Sequence, residues 1–246
     1  MIESAGQLPV TANLLRRLTA EAIGTAMLLA AVVGSGIMAE RLSAGNVAIA
    51  LLANTVATAA ALLALILTFG PISGAHFNPA VSVADASQGG IGWREVPGYV
   101  VAQVCGGVVG VFIAHAMFGE RLFMLSLRAR SGPAQLVSEF VATFGLLAVI
   151  RGCSQRRSDA VPLAVAAYIA AAYWFTASTS FANPAVTLAR ALTDTFAGIR
   201  PSDVPGFIAA QLAGAAAATL LFRWLVPPLP RSAERVVMPR AEMPAS

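Results

Sequence analysis

Apolar residues along this chain run in long blocks, interrupted by short clusters of Arg, Glu, Gly and Pro, and show no strict apolar/polar alternation. A membrane-spanning helix needs about 20 predominantly apolar residues. Blocks of that order fall near 14–39, 46–69, 95–118, 134–151, 160–178 and 203–226, which predicts six spans. Two charge-free stretches do not divide into whole spans. Leu42 to Ala84, between Arg41 and Asp85, holds 43 residues, and Ala160 to Ala189, between Asp159 and Arg190, holds 30. Each reads as one full span followed by a half-span that begins at an Asn-Pro-Ala, at Asn78-Pro79-Ala80 and Asn183-Pro184-Ala185. Non-helical backbone at membrane depth persists only where protein or a water-filled cavity satisfies it, so two half-spans imply a pore or a binding site.

The two halves repeat each other in order. Glu21 in Ala20-Glu21-Ala22 is matched by Glu139 in Ser138-Glu139-Phe140, and His76-Phe77-Asn78-Pro79-Ala80-Val81 by Phe181-Ala182-Asn183-Pro184-Ala185-Val186. Val96-Pro97-Gly98-Tyr99 through Gln103 is matched by Val204-Pro205-Gly206-Phe207 through Gln211. Three spans per repeat is an odd number, so the second copy enters from the opposite side and the repeats are inverted. The expected fold class is an all-α membrane protein of six spans and two re-entrant half-helices. Its expected organisation is an N-terminal segment 1–13, a channel domain 14–226 (repeats about 14–120 and 131–226) and a disordered tail 227–246.

Composition agrees with the patterning. Apolar residues make up 57% and charged residues 11%, against about 25% charged in soluble domains. The net charge of +4 is carried by Arg alone, mostly at span ends and in the tails, which is membrane anchoring and not a nucleic-acid face. Ten Arg on the side of the termini against six on the other favour cytoplasmic termini and a multi-pass inner-membrane protein. Residues 1–13 carry no signal-peptide pattern, so the first apolar run is expected to remain as a span. Cys105 and Cys153 lie in different apolar blocks without a Cys/His cluster, so neither a disulfide, a metal nor a cofactor is assigned. With no nucleophile/base pair or phosphate loop, no catalytic residue is assigned either.

Other residues are read as follows. Gly106 and Gly110 have the GxxxG spacing that permits close helix approach, and Ala210 and Gly214 occupy the matching place. Asn-Pro-Ala suits a half-helix start: Pro fixes φ at a first position with no N–H to lose, and Asn caps while its amide can donate into a pore. Two helix N-termini meeting at mid-membrane, each with about half a positive charge, form a barrier to cations and protons. Glu21 and Glu139 are ionisable groups within spans. Tyr168, Tyr173, Trp174 and Phe175 read as an interfacial belt, and His115 as a packing or interfacial residue.

The duplicated Asn-Pro-Ala, the preceding Ser73-Gly74-Ala75-His76-Phe77, the paired Glu21 and Glu139 and the Gln103/Gln211 repeat together resemble the aquaporin, or major intrinsic protein, family from about Arg16 to Val226. The resemblance implies a passive channel for water and small uncharged solutes, assembled as a homotetramer with one pore per subunit. It implies that Glu21 and Glu139 support the re-entrant loops and that His76 lines the cytoplasmic vestibule. A proton-coupled transporter using Glu21 and Glu139 as carriers is the alternative.

In most family members an Arg directly follows the second Asn-Pro-Ala; here the residue is Val186. Counting from the motifs puts the other filter positions at Thr58, Ala171 and Ser180, none aromatic or charged. The resemblance therefore implies a widened filter, closer to bacterial members with Val at this site, some linked to arsenite-like and methylated arsenic solutes. Val186-Thr187 also departs from the Arg-Asp of the glycerol-conducting branch. Arg190, one turn beyond Val186, is expected to pair with Asp194 or snorkel to headgroups, with a contribution to the outer positive field as the other reading.

Overall fold

The computed structural model describes residues 12–155 and 157–225, and the elements within them are helical. Residues 1–11, Arg156 and 226–246, which include the expected tail 227–246, lie outside the described residues.

Six long helices, α1 (Leu14–Leu42), α2 (Val47–Ser73), α4 (Val96–Phe118), α5 (Pro133–Ser154), α6 (Val161–Phe175) and α8 (Val204–Leu225), alternate with two short ones, α3 (Pro79–Ala86) and α7 (Pro184–Arg190). The six long elements, with single 3-10 turns preceding α6 and α8, are long and apolar enough to cross a membrane. The expected spans are all present; α6 ends at Phe175, three residues before its expected end, and the chain then turns back into the protein.

Prolines start elements here. Pro79, Pro97, Pro133, Pro162 and Pro184 occupy first-turn positions, where the missing N–H costs nothing. Asn13, Asn46, Asn78 and Asn183 each cap a helix with the side-chain oxygen.

Within the first repeat α1 packs on α2 and α4, and within the second α5 packs on α6 and α8; α2 against α6 joins the halves. The GxxxG expectation is met closely. A methyl group on Gly106 or Gly110 would run into the backbone carbonyls of Ala22 and Ala26 on α1, and one on Gly214 into the backbone of Phe140 on α5. Each of these glycines is thus a point of backbone-to-backbone contact, which no other side chain permits. Leu52, Val56 and Leu67 on α2, with Met27 on α1, face outward, as lipid or a neighbouring subunit requires.

α3 and α7 have eight and seven residues. At 1.5 Å per residue they reach about 12 and 10 Å, so end to end they cover most of a hydrocarbon core about 30 Å thick. Starting near mid-membrane, α3 runs back toward the side of the termini (the near side) and α7 toward the far side.

Candidate functional site

The strands of chain that lead into the half-helices are strained in matching ways. Ala75 and Phe77 before α3, and Ser180 and Ala182 before α7, all have φ near +50°. None is Gly, and left-handed backbone costs roughly 1–2 kcal/mol for each such residue. Two buried carboxylates hold these conformations. Glu21 accepts from Ser73 Oγ (2.6 Å), His76 N (2.9 Å), Phe77 N (2.7 Å) and Gln103 Nε2 (2.8 Å). Glu139 accepts from Phe181 N (2.9 Å), Ala182 N (2.9 Å) and Gln211 Nε2 (2.6 Å). Hydrogen bonds to a charged group contribute about 1.5–3 kcal/mol each, enough together to offset both the strain and the burial of the charge. Gln103 and Gln211 continue the symmetry by reaching Ser82 and Thr187 on the half-helices. The carboxylates are occupied by donors from the loops, as a supporting role requires.

One cavity of about 470 Å³ crosses the bundle. Asp85, Gln88, Arg151 and Ser154 line its near end, His76, Asn78 and Asn183 its middle, and Thr58, Tyr173, Ser180, Val186 and Arg190 its far end. The opposing wall is apolar and is built by i, i+4 stripes, Leu62 and Ile66 following Thr58 on α2, and Val161, Val165 and Ile169 preceding Tyr173 on α6. An apolar wall facing a line of amide and hydroxyl groups suits a file of small neutral solutes, which lose few hydrogen bonds on one side and need none on the other.

The two motif asparagines cap α3 and α7 and border the cavity. Asn78 Oδ1 accepts from Ala80 N, and Asn183 Oδ1 from Ala185 N and Val186 N. His76 borders the cavity with Nδ1 3.1 Å from Ser82 Oγ and Nε2 3.7 Å from Asp85 Oδ2. Beneath it Arg17 bonds Glu95 and the Tyr99 hydroxyl, and Tyr99 donates to Ser73 O. The Arg17 guanidinium holds the Glu95 carboxyl below its ordinary range.

Three expectations are corrected. Ala171 does not reach the cavity: it is exposed on the outer side of α6, and the residue at this level is Tyr173, 4% exposed, with its hydroxyl 3.5 Å from Thr58 Oγ1. Two residues on a helix are about 200° apart, so a count that slips by two reverses the face. Tyr173 accordingly leaves the interfacial belt, although Trp174 and Phe175 stay exposed. Arg190 neither pairs with Asp194 nor reaches headgroups; it is 2% exposed, its Nε donates to Ala197 O, and Asp194 instead accepts from Leu127 N. His115, expected to be a packing or interfacial residue, needs no correction: it is fully buried, bonds Leu122 O and Thr193 Oγ1 at 2.8 Å each, and ties the far end of α4 to the loop after α7.

Arg130 was not singled out from sequence. It lies in the 119–132 connection, donates to the carbonyls of Gly198 (2.8 Å) and Ser178 (3.2 Å), and lies over the Phe181 ring with Cζ 5.0 Å from the centroid. Burial pushes its guanidinium down to about 10, still protonated at neutral pH. A basic residue in a loop carries no local mark of such a contact, since its partners lie some 50 to 70 positions away in sequence.

Six spans, two half-helices meeting at paired asparagines and one through-running cavity define a transmembrane channel for small solutes. The chain belongs to the major intrinsic protein family. That family's profile matches residues 9–162 and again 153–245, together nearly the whole chain. An aquaglyceroporin, AqpS, of Rhizobium meliloti (strain 1021) is 55% identical over 216 residues, 88% of this chain and 92% of that protein. Aquaporin NIP1-2 of Oryza sativa subsp. japonica is 36% identical over 165 residues, 62% of this chain and 53% of that protein. The X-ray structure of the aquaglyceroporin from Plasmodium falciparum shares the fold, with a TM-score of 0.68 at 20% identity over 87% of this chain and 98% of that one. The chain is a passive channel for water and small solutes, not an enzyme.

Proposed function

We propose that this channel conducts water together with neutral solutes up to about the size of glycerol, including undissociated metalloid hydroxides and their methylated forms, through a far-side filter of Thr58, Tyr173, Ser180 and Val186. The observation that carries the reading is the cavity itself: Asn78, Asn183 and the filter residues border one space, and at the position directly after the second Asn-Pro-Ala the side chain is the short, uncharged Val186. An aliphatic side chain there leaves cross-section that a guanidinium would fill, while Tyr173 keeps an aromatic edge on the opposite wall. The glycerol-conducting reading accords with the relative at 55% identity being an aquaglyceroporin, despite Val186-Thr187 in place of Arg-Asp.

Further parts of the proposal are a homotetramer with one pore per subunit, seated through outward apolar faces such as that of α2, and an inner-membrane location with cytoplasmic termini. The Arg count over the whole sequence, ten on the side of the termini against six on the other, supports that orientation. On it, His76 lies in the cytoplasmic vestibule and Val186 toward the outside.

Purified protein in proteoliposomes tests the function. Water and glycerol should equilibrate down their own gradients at rates unaffected by an imposed proton gradient. Uptake that requires the proton gradient and stops when it is collapsed overturns the channel reading in favour of transport driven by Glu21 and Glu139.

A further inference from the structure

The outer mouth holds two guanidinium groups that share one aromatic platform. Arg190 Cζ lies 3.4 Å from the Phe181 ring centroid and Arg130 Cζ 5.0 Å. Both are gripped by consecutive carbonyls of one loop: Arg190 Nε donates to Ala197 O, and Arg130 to Gly198 O at 2.8 Å and Phe196 O at 3.5 Å. Neither forms an ion pair with a carboxylate among the described residues, where the five ion pairs involve other groups. A buried cation without a counter-ion is costly to keep, several kcal/mol even after relaxation, and it tends to persist where its charge serves a function.

The two groups differ in one respect. Arg130 spends its donors on carbonyls, whereas the terminal amino groups of Arg190 have no protein acceptor among the described residues and Arg190 borders the cavity. A nine-tenths buried guanidinium with a free donor edge is thus aimed into the conduction path. Its helix position follows Val186 by four residues, which puts it on the same face about one turn, roughly 6 Å, further out.

We propose that Arg190 is the charge-selecting residue of this channel, presenting its free donor edge to neutral, acceptor-bearing solutes and repelling cations, while Arg130 and Phe181 position it. Moving the cation outward by one turn separates two properties: the cross-section at Val186 stays open, and the electrostatic barrier remains at the mouth. This inference rests on the passive-channel reading.

The test uses the full chain, as wild type, Arg190→Gln and Arg190→Lys, in proteoliposomes at equal protein content. Water and glycerol flux are followed by light scattering, and cation leak by an entrapped pH dye under a potassium diffusion potential. A unit charge about 6 Å from the path at an effective dielectric near 40 changes cation entry about tenfold. Arg190→Gln is expected to raise the leak by at least about that factor, and Arg190→Lys to stay tight while shifting the glycerol-to-water ratio by about twofold or more, because an ammonium lacks the planar donor edge. A glutamine variant as tight as wild type overturns the inference. Should the glutamine variant not fold, a lysine variant with an unchanged glycerol-to-water ratio overturns it equally. Wild type without flux above empty vesicles overturns the channel reading itself, a separate result from either.

Discussion

Asn78 and Asn183 each hold the other's loop: Asn78 Nδ2 donates to Ala182 O at 2.8 Å, and Asn183 Nδ2 donates to Phe77 O at 2.7 Å. Each amide therefore spends its oxygen on capping its own half-helix and one N–H on the opposite repeat. The second N–H is left for the cavity that both residues line. The reciprocal bonds fix the amide orientation, so the donors into the pore are preorganised and a passing solute does not have to recruit them. Neither bond is possible unless the repeats are inverted, because only then do the loop before α3 and the loop before α7 meet at the same depth.

Glu139→Gln should lower folded yield and thermal stability more than it alters selectivity, and Glu21→Gln likewise. Phe181 N, Ala182 N and Gln211 Nε2 all point at the Glu139 carboxylate. A carboxamide presents one acceptor oxygen and two donors, so at least one loop N–H loses its partner at about 1–3 kcal/mol each. Fluorescence-detected size exclusion and melting of detergent-purified variants measure the effect. Normal yield combined with loss of gradient-driven uptake is the outcome that supports proton carriage instead.

Gly110→Val should prevent close packing of α4 on α1, whereas Gly152→Ala should be neutral or stabilising. A side chain at Gly110 meets the Ala26 carbonyl on α1, which cannot move aside without bending the helix. Overpacking of this kind costs about 1–3 kcal/mol or more. A methyl group at Gly152 on α5 meets only Phe222 Cε1 at 3.6 Å, an ordinary contact, at a helical position where Ala is favoured over Gly by up to about 1 kcal/mol. The contrast in melting temperature between the two variants separates a packing effect from a general intolerance of changed glycines.

The large features were legible because each is written locally. Span lengths, the duplicated Asn-Pro-Ala, the paired carboxylates and the glycine spacing all depend on residues within a helical turn or on an exact repeat. The proposed far-side filter was legible only in part. Thr58, Ser180 and Val186 border the cavity, but the position on α6 is Tyr173 and not Ala171. The count back from Asn183 crosses Thr176–Ala182, a segment with left-handed residues at Thr179, Ser180 and Ala182, and no periodicity survives such a segment. Arg130 and the carbonyls of residues 196–198 were illegible for another reason: their contacts join two loops whose meeting is decided by the bundle and by no pattern in either loop.

The substitution that probes the filter most directly is Val186→Arg. It places a guanidinium where most family members carry one, and fills part of the cross-section that Val186, 6% exposed at the cavity edge, leaves open. Glycerol flux should fall at least about tenfold more than water flux, since water needs the narrower path and gains donors along it. Arg190 makes a second outcome specific to this chain. The new charge sits one turn from an existing one that has no carboxylate partner, and two like charges about 6 Å apart at an effective dielectric near 20 repel by roughly 3 kcal/mol. Val186→Arg alone should therefore lose stability, and Val186→Arg combined with Arg190→Gln should recover much of it while keeping the narrowed selectivity. Melting temperature and osmotic light scattering on the same reconstituted preparations read both effects. If folded Val186→Arg passes glycerol as fast as wild type, Val186 does not set the width of the filter. If the double variant is no more stable than the single one, the two positions do not share a field.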